Sequence, residues 1–178
     1  MLRMILGSVF AFSAIVGAAT ATAQTPIRIG EINSYKALPA FLEPYKKGMD
    51  LAIDEINAAG GVIGRPLELI TRDDSATPGD AVRVAQALVT RDRVDVLAGT
   101  FLSHIGLAVS DFARQRKVFF LASEPLTDKL VWEQGNEYTF RLRPSTYMQV
   151  AMLVPEAVAM NKKRWALVYP NYEYGQSG

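Results

Sequence analysis

Ser103 and His104 stand side by side and carry the residue types of a nucleophile and a base, and His104 is the one histidine in the chain. Adjacent side chains at a helix start point in different directions, so the pair is poorly placed for an exported hydrolase. A binding chemistry suits them better. Ser103 precedes Ile105, Ala108, Val109 and Phe112, which recur at helical spacing. Two roles are open to its hydroxyl. It caps the first turn of its own helix, or it joins the nearby backbone N–H groups and the positive helix end in receiving a small carboxylate. His104 likewise either donates to a ligand or simply occupies the first turn. The chain contains no cysteine, which removes thiol nucleophiles, and one histidine rules out a multi-histidine metal site. No phosphate-cradling loop is present either, because Gly60, Gly61 and Gly64 close a helix instead of opening one. No cofactor is indicated.

These residues need a scaffold, and the stretch Gly48 to Asp74 states its type. Met49, Ala52, Ile53 and Ile56 fall on one helical face, while Lys46, Asp50, Asp54 and Asn57 fall on the other. Gly60 and Gly61 stop that helix, and Pro66 to Thr71 then reads as a strand. Ile27 to Ile32 is an earlier strand, and Asn33 to Pro39 a loop. Thr77-Pro78-Gly79-Asp80 starts a second helix, with Thr77 as cap and Asp80 as the capping-box acid, and Ala81, Val84, Ala85 and Leu88 as its buried stripe. Val94 to Ala98, Val118 to Leu121, Tyr138 to Leu142 and Trp165 to Val168 read as further strands, with a short helix over Thr127 to Trp132. Thr146 and Gln149 stand in capping-box relation at a later helix, which Pro155 should kink or divide.

Strand and helix alternate with short connections. This predicts an α/β fold, a three-layer αβα arrangement around a mostly parallel Rossmann-like sheet, because parallel neighbours need right-handed crossovers. Ligands then belong at the carboxyl ends of the strands, on Asn33 to Phe41, Asp73 to Thr77, Thr100 to His104 and Ala122 to Thr127.

The first residues decide the expected compartment. Arg3 precedes an apolar run from Met4 to Ala19, and Ala21-Thr22-Ala23 offers the small residues of a cleavage site, so residues 1–23 read as a signal peptide and Gln24 as the mature start. The run is shorter than the roughly 20 residues of a membrane span, so no direct membrane insertion is expected after cleavage. With 178 residues, 49% of them hydrophobic, and a net charge of +1, the chain can bury one ordinary core and has no basic bias toward nucleic acid.

Four segments in order carry a resemblance: Gly48-Met49-Asp50-Leu51-Ala52-Ile53-Asp54-Glu55-Ile56-Asn57-Ala58-Ala59-Gly60-Gly61, Asp73-Asp74-Ser75, Phe140-Arg141-Leu142-Arg143-Pro144 and Tyr172-Glu173-Tyr174-Gly175. The chain resembles the N-terminal part of periplasmic solute-binding proteins of the branched-chain amino acid type, the extracytoplasmic receptors of ABC importers. The resemblance implies a type I periplasmic binding fold whose two lobes close on a small solute without changing it. Residues 24–143 would be the first lobe, and 144–178 the start of a second that is only begun within the chain. It implies a periplasmic location and a membrane permease as partner. It places the ligand carboxylate on Ser103, with Phe101, Leu102 and His104 beside it and Ser123 and Glu124 completing that end. Tyr174 would cover the ligand, and Phe41 would lie at the mouth. Ser123-Glu124-Pro125-Leu126-Thr127 departs from the amino-acid-binding pattern, so Glu124 either holds an amine or faces solvent. Amides and aromatic acids stay open as ligands, with Phe101, His104, Trp132, Tyr147 and Tyr172 as candidate aromatic lining. The same fold also serves ligand-sensing domains of receptors and regulators.

Overall fold

The computed structural model describes residues 24–177. The segment read as an export signal lies outside them. β1 (Ile27–Asn33) leads to α1 (Pro39–Ala58), β2 (Leu67–Asp73) to α2 (Pro78–Thr90), and β3 (Val96–Gly99) to α3 (Ser103–Arg116). β4 (Phe120–Ala122) is followed by a 3-10 turn at Asp128–Leu130, β5 (Thr139–Arg141) by α4 (Thr146–Ala159), and then comes the one-turn helix α5 (Glu173–Gln176). All five strands are parallel, in the order β2-β1-β3-β4-β5. The expected α/β fold is the observed one.

Strand alternation sorts the side chains onto two faces. Ile32, Leu97, Phe120 and Ala122 point to the face covered by α2 and α3, where Ala81, Val84, Ala85 and Leu88 meet Ile105, Val109, Phe112 and Ala113. Each fully buried Leu, Ile, Val or Phe here contributes roughly 1.5–3 kcal/mol. The fit is close: a Cβ on Gly30 would lie 3.1 Å from both Leu88 and Val94. α1 lies over the opposite face. There the Asn57 amide accepts from the Leu67 N–H at 2.7 Å and donates to the Leu67 carbonyl at 2.9 Å, stitching the helix to β2.

Several expectations need correction. Asn57 is therefore a structural bond-maker and not a solvent-face residue. Ala52 and Ile56 are exposed, while Leu42 is the buried residue of α1, because among the described residues this helix rests on little beyond β2. Thr77 does cap α2, accepting from the Asp80 N–H at 3.3 Å, but Asp80 binds the Arg83 guanidinium at 2.7 Å instead of completing a capping box. Ser145, not Thr146, caps α4 by accepting from the Met148 N–H, which leaves the Thr146 hydroxyl to donate to the Leu126 carbonyl. α4 runs undivided past Pro155. Trp165 to Val168 is not a strand. Leu167 and Val168 are 82% and 97% exposed, and no described strand lies beside them to pair with.

The end of β3 is the tightest point of the sheet. Gly99 has φ +106°, and a Cβ there would overlap the Ile32 carbonyl and lie 2.8 Å from the Glu31 Oε1. Gly99→Ala should therefore cost roughly 2–4 kcal/mol through strain and overpacking. Urea unfolding measures this, and an unchanged midpoint would contradict it.

Candidate functional site

The chain leaves β1 toward β2 on one side and then returns past β1 to build β3, β4 and β5 on the other. Where a parallel sheet reverses direction in this way, the loops after the two strands diverge and leave a crevice at their carboxyl ends. Phe41 of α1 and Phe101 of the loop after β3 face each other across it, with ring centroids 5.6 Å apart. Beside them is a cavity of about 70 Å³ whose polar lining is Ser103, Glu124 and Arg143. Phe101, Leu126, Tyr172 and Tyr174 supply the rest of its wall.

Ser103 does not cap α3; its cap position is Leu102, with no side-chain bond. The Ser103 hydroxyl instead accepts from the Leu126 and Thr127 N–H groups at 3.2 and 3.3 Å, across the chain from the loop after β4. A hydroxyl has two lone pairs and one proton. With both acceptor positions occupied, any further hydrogen bond from the Ser103 hydroxyl is as a donor, and it lines the cavity where an acceptor can meet it. Arg143 supplies positive charge on the same wall. Its guanidinium lies 3.9 Å from the Glu124 carboxylate, beyond hydrogen-bond reach, and Glu124 makes no hydrogen bond among the described residues. Burial pushes the Glu124 carboxyl up, and Arg143 opposes that shift.

A buried polar network backs the cavity. Glu31 is fully buried on the α1 side of β1, accepting from the Tyr35 hydroxyl at 2.7 Å and the Asn33 amide at 3.1 Å. Desolvation outweighs these two bonds and pushes its carboxyl up to about 7. Tyr35 is pushed up in turn, chiefly by burial and then by the Glu31 charge. Tyr45 of α1 reaches across to the Ser123 hydroxyl at 3.0 Å, and its own hydroxyl is pushed up to about 12 by burial. Asp74 takes the Ser34 hydroxyl at 2.6 Å and the Ala76 N–H at 2.8 Å, tying the end of β2 to the end of β1.

The sequence profile of the periplasmic binding protein family matches residues 26–178. The chain belongs to that family. An amino acid binding protein of Pseudomonas aeruginosa is 29% identical over 168 residues, covering 93% of this chain and 44% of the relative. A Leu/Ile/Val-binding protein homologue of Brucella suis is 28% identical over 173 residues, covering 92% of this chain and 42% of the relative. Among solved structures, an ABC transporter substrate-binding protein of Desulfitobacterium hafniense in complex with Leu superposes with TM-score 0.73 at 25% identity, over 85% of this chain and 44% of that one. A solute-binding protein of Rhodopseudomonas palustris in complex with 3,4-dihydroxybenzoic acid superposes with TM-score 0.75 at 25% identity, over 85% and 41%. The chain spans less than half the length of these relatives. The family is one of solute receptors and not of enzymes.

Five of the residues singled out in the sequence converge on one cavity: Phe101, Ser103, Glu124, Tyr172 and Tyr174. The others do not line it. Phe41 packs at a tilt against Phe101 at the mouth, 63% exposed. Leu102 packs against the hydrophobic core instead of the cavity. His104 packs edge-on against Tyr172 at 5.6 Å, with a buried Nδ1 that has no partner, and shares no hydrogen bond with Ser103. Ser123 is buried and held by Tyr45. Trp132 and Tyr147 pack on each other, 60% and 59% exposed, and do not line the cavity. Arg143 went unread as a site residue, although it stands just past the carboxyl end of β5, where ligand groups belong. The Glu31 network was also missed. Its signal was a carboxylate on the strand face that Ile27 and Ile29 begin.

Among the described residues no helix is long and apolar enough to cross a membrane, and no cluster of three His, Cys, Asp or Glu could hold a metal ion.

Glu31 makes stability depend on pH with a definite sign. Its folded value of about 7 lies above the ordinary 4.5, so the folded chain holds this proton after the unfolded chain has lost it. Its share of stability is complete below about pH 4.5, falls as pH rises, and is lost above about pH 7, a change of roughly 3 kcal/mol. Glu31→Gln should flatten that slope when urea unfolding is compared at about pH 5 and about pH 8. The same slope in both proteins would clear Glu31 of this role.

Proposed function

We propose that the chain is the first lobe, residues 24–143, and the beginning of the second, residues 144–178, of an exported two-lobed receptor for an ABC-type importer. The receptor captures a small carboxylate-bearing solute and hands it, unchanged, to a membrane permease. The observation that carries this reading is the bonding of Ser103: the Leu126 and Thr127 amides occupy both lone pairs of its hydroxyl, which lines a cavity together with Arg143 and has only its proton left to offer. An acceptor with negative charge satisfies both. A carboxylate there replaces water lost on closure with charge-assisted hydrogen bonds. The cavity is far smaller than the roughly 300–1,000 Å³ of whole ligand sites, so it holds one end of the solute. The remainder would lie between the lobes, near Phe41 and the two tyrosines.

The solutes in two neighbouring structures support the same chemistry. Leucine and 3,4-dihydroxybenzoic acid differ in almost everything but their carboxylate. Capture on one lobe followed by closure of the other follows from differential contact, since a solute touching both lobes favours the closed arrangement.

A thermal-shift screen of the full-length protein against amino acids, amides and aromatic acids tests the class. Carboxylates should raise the melting temperature and their neutral amides should not. Arg143→Met should weaken the best carboxylate by roughly 1–3 kcal/mol, about 5- to 150-fold in Kd. Ser103→Ala should weaken it by a similar amount, and should also lower stability because it strips two buried amides of their acceptor. Calorimetry with unchanged affinity in both variants would take the carboxylate away from this cavity.

A further inference from the structure

Glu173 lies between the two tyrosines of the cavity wall, yet its own side chain turns away from the cavity. Its carboxylate accepts from the Thr127 hydroxyl at 2.8 Å and lies 3.2 Å from the Lys129 ammonium. Both partners belong to the segment after β4, more than forty residues earlier in the chain. The Glu173 side chain is 16% exposed and that of Lys129 41%, so the carboxylate is the sheltered half of a pair whose ammonium still reaches solvent, and the Thr127 bond is the buried part of the contact.

The helix that carries Glu173 cannot hold itself in place. α5 has four residues, none of them buried, and a single helical turn gains too few hydrogen bonds to offset its ordering. Beyond its own turn, the described polar ties from α5 and the adjacent Ser177 to the rest of the fold are the Glu173 carboxylate and the Ser177 hydroxyl, which donates to the Thr146 hydroxyl at a longer 3.3 Å. Of these, Glu173 is flanked on both sides by cavity residues.

Thr127 gives this contact its reach. The residue is fully buried and uses every polar group it has: its N–H donates to Ser103, its hydroxyl donates to Glu173, and its carbonyl accepts from Arg141. One residue thus links the hydroxyl at the floor of the cavity to the helix that forms its roof.

We propose that Glu173 is a positioning residue: by clasping Thr127 and Lys129 it holds Tyr172 and Tyr174 over Ser103, and so sets how long a solute stays bound. The placement of Glu173 on a second lobe, and hence the meaning of its release, rests on the receptor function proposed above. Glu173→Ala frees α5 and loosens the roof. Glu173→Gln retains a carbonyl that accepts from Thr127 and loses only the charge facing Lys129, so it keeps most of the clasp. Thr127→Val keeps the volume and removes the hydroxyl, so it reproduces the alanine effect from the other side.

Hydrogen exchange on the full-length protein without solute decides the point. Peptides over residues 170–177 should exchange about tenfold faster in Glu173→Ala and in Thr127→Val, with Glu173→Gln close to the parent. The double variant should be no faster than either single one, because both break the same contact. Unchanged exchange over 170–177 in Glu173→Ala, or additive effects in the double variant, would overturn the clasp. Dissociation of L-leucine and of 3,4-dihydroxybenzoate, followed by stopped-flow tyrosine fluorescence, adds the functional arm. For whichever probe binds, Glu173→Ala should speed dissociation at least tenfold with little change in the association rate. If neither binds the parent, the choice of solutes has failed, and the exchange result still stands or falls by itself. If one binds and leaves every variant at the same rate, the clasp does not govern retention.

Discussion

The reversal of the sheet at β1 is the constraint on which the rest of this structure depends. With β2 on one side of β1 and β3 on the other, the chain must cross from one face to the other, so α1 lies opposite α2 and α3. The loops after β1 and β3 therefore part company at their carboxyl ends. The groups at the strand ends then arrive from four connections: Phe41 from α1, Phe101 and Ser103 from the passage between β3 and α3, Glu124 from the loop after β4, and Arg143 from the exit of β5. No local motif could assemble them. Parallel topology alone requires all five connections to open on the same side.

Within that frame, the site is built from polar groups whose partners have already been decided. Ser103 has spent both lone pairs on backbone amides and has only a proton left to share. Among the described residues Glu31 receives two donors and no cation, so burial holds its carboxyl well above the ordinary carboxylate range. Among the described residues Glu124 and Arg143 make no side-chain hydrogen bond, and they stand 3.9 Å apart on the wall. The contrast between Glu31 and Glu124 is one of position. Glu31 is sealed behind β1 and belongs to the architecture, whereas Glu124 faces the cavity beside Arg143, where a solute with a donor group can complete its bonding.

What could be read from the chain follows the range of the interaction involved. The Gly60-Gly61 stop, the Thr77 cap and the stripe from Ala81 to Leu88 depend on neighbours within one or two turns, and they are where spacing placed them. Ser103 shows where such reading ends. Its position at the head of α3 was legible, but its role was not, because the amides it serves lie more than twenty residues away. Asn57 was misread for the same reason: the helical wheel puts it among polar residues, and only the strand beyond the Gly-Gly turn shows that its amide is occupied. Arg143 sits at a strand end whose importance depends on β5 being parallel to β4, which no residue nearby declares.

The second limit is that hydrophobic pattern reports a preference for burial and not a neighbour. Ile56, Leu51, Leu167 and Val168 are apolar and patterned, yet all are exposed. α4 makes the case most clearly, with Met152, Leu153 and Val158 each more than 60% exposed on a helix that is otherwise well formed. A helix satisfies its own backbone and can persist with its apolar side uncovered, whereas a strand needs a second strand for its hydrogen bonds. That difference explains why α4 forms as a helix while Trp165 to Val168, equally apolar, pairs with no described strand. Secondary structure that satisfies itself is legible from a single segment. Structure that must be satisfied by another segment is legible only where that partner lies beside it.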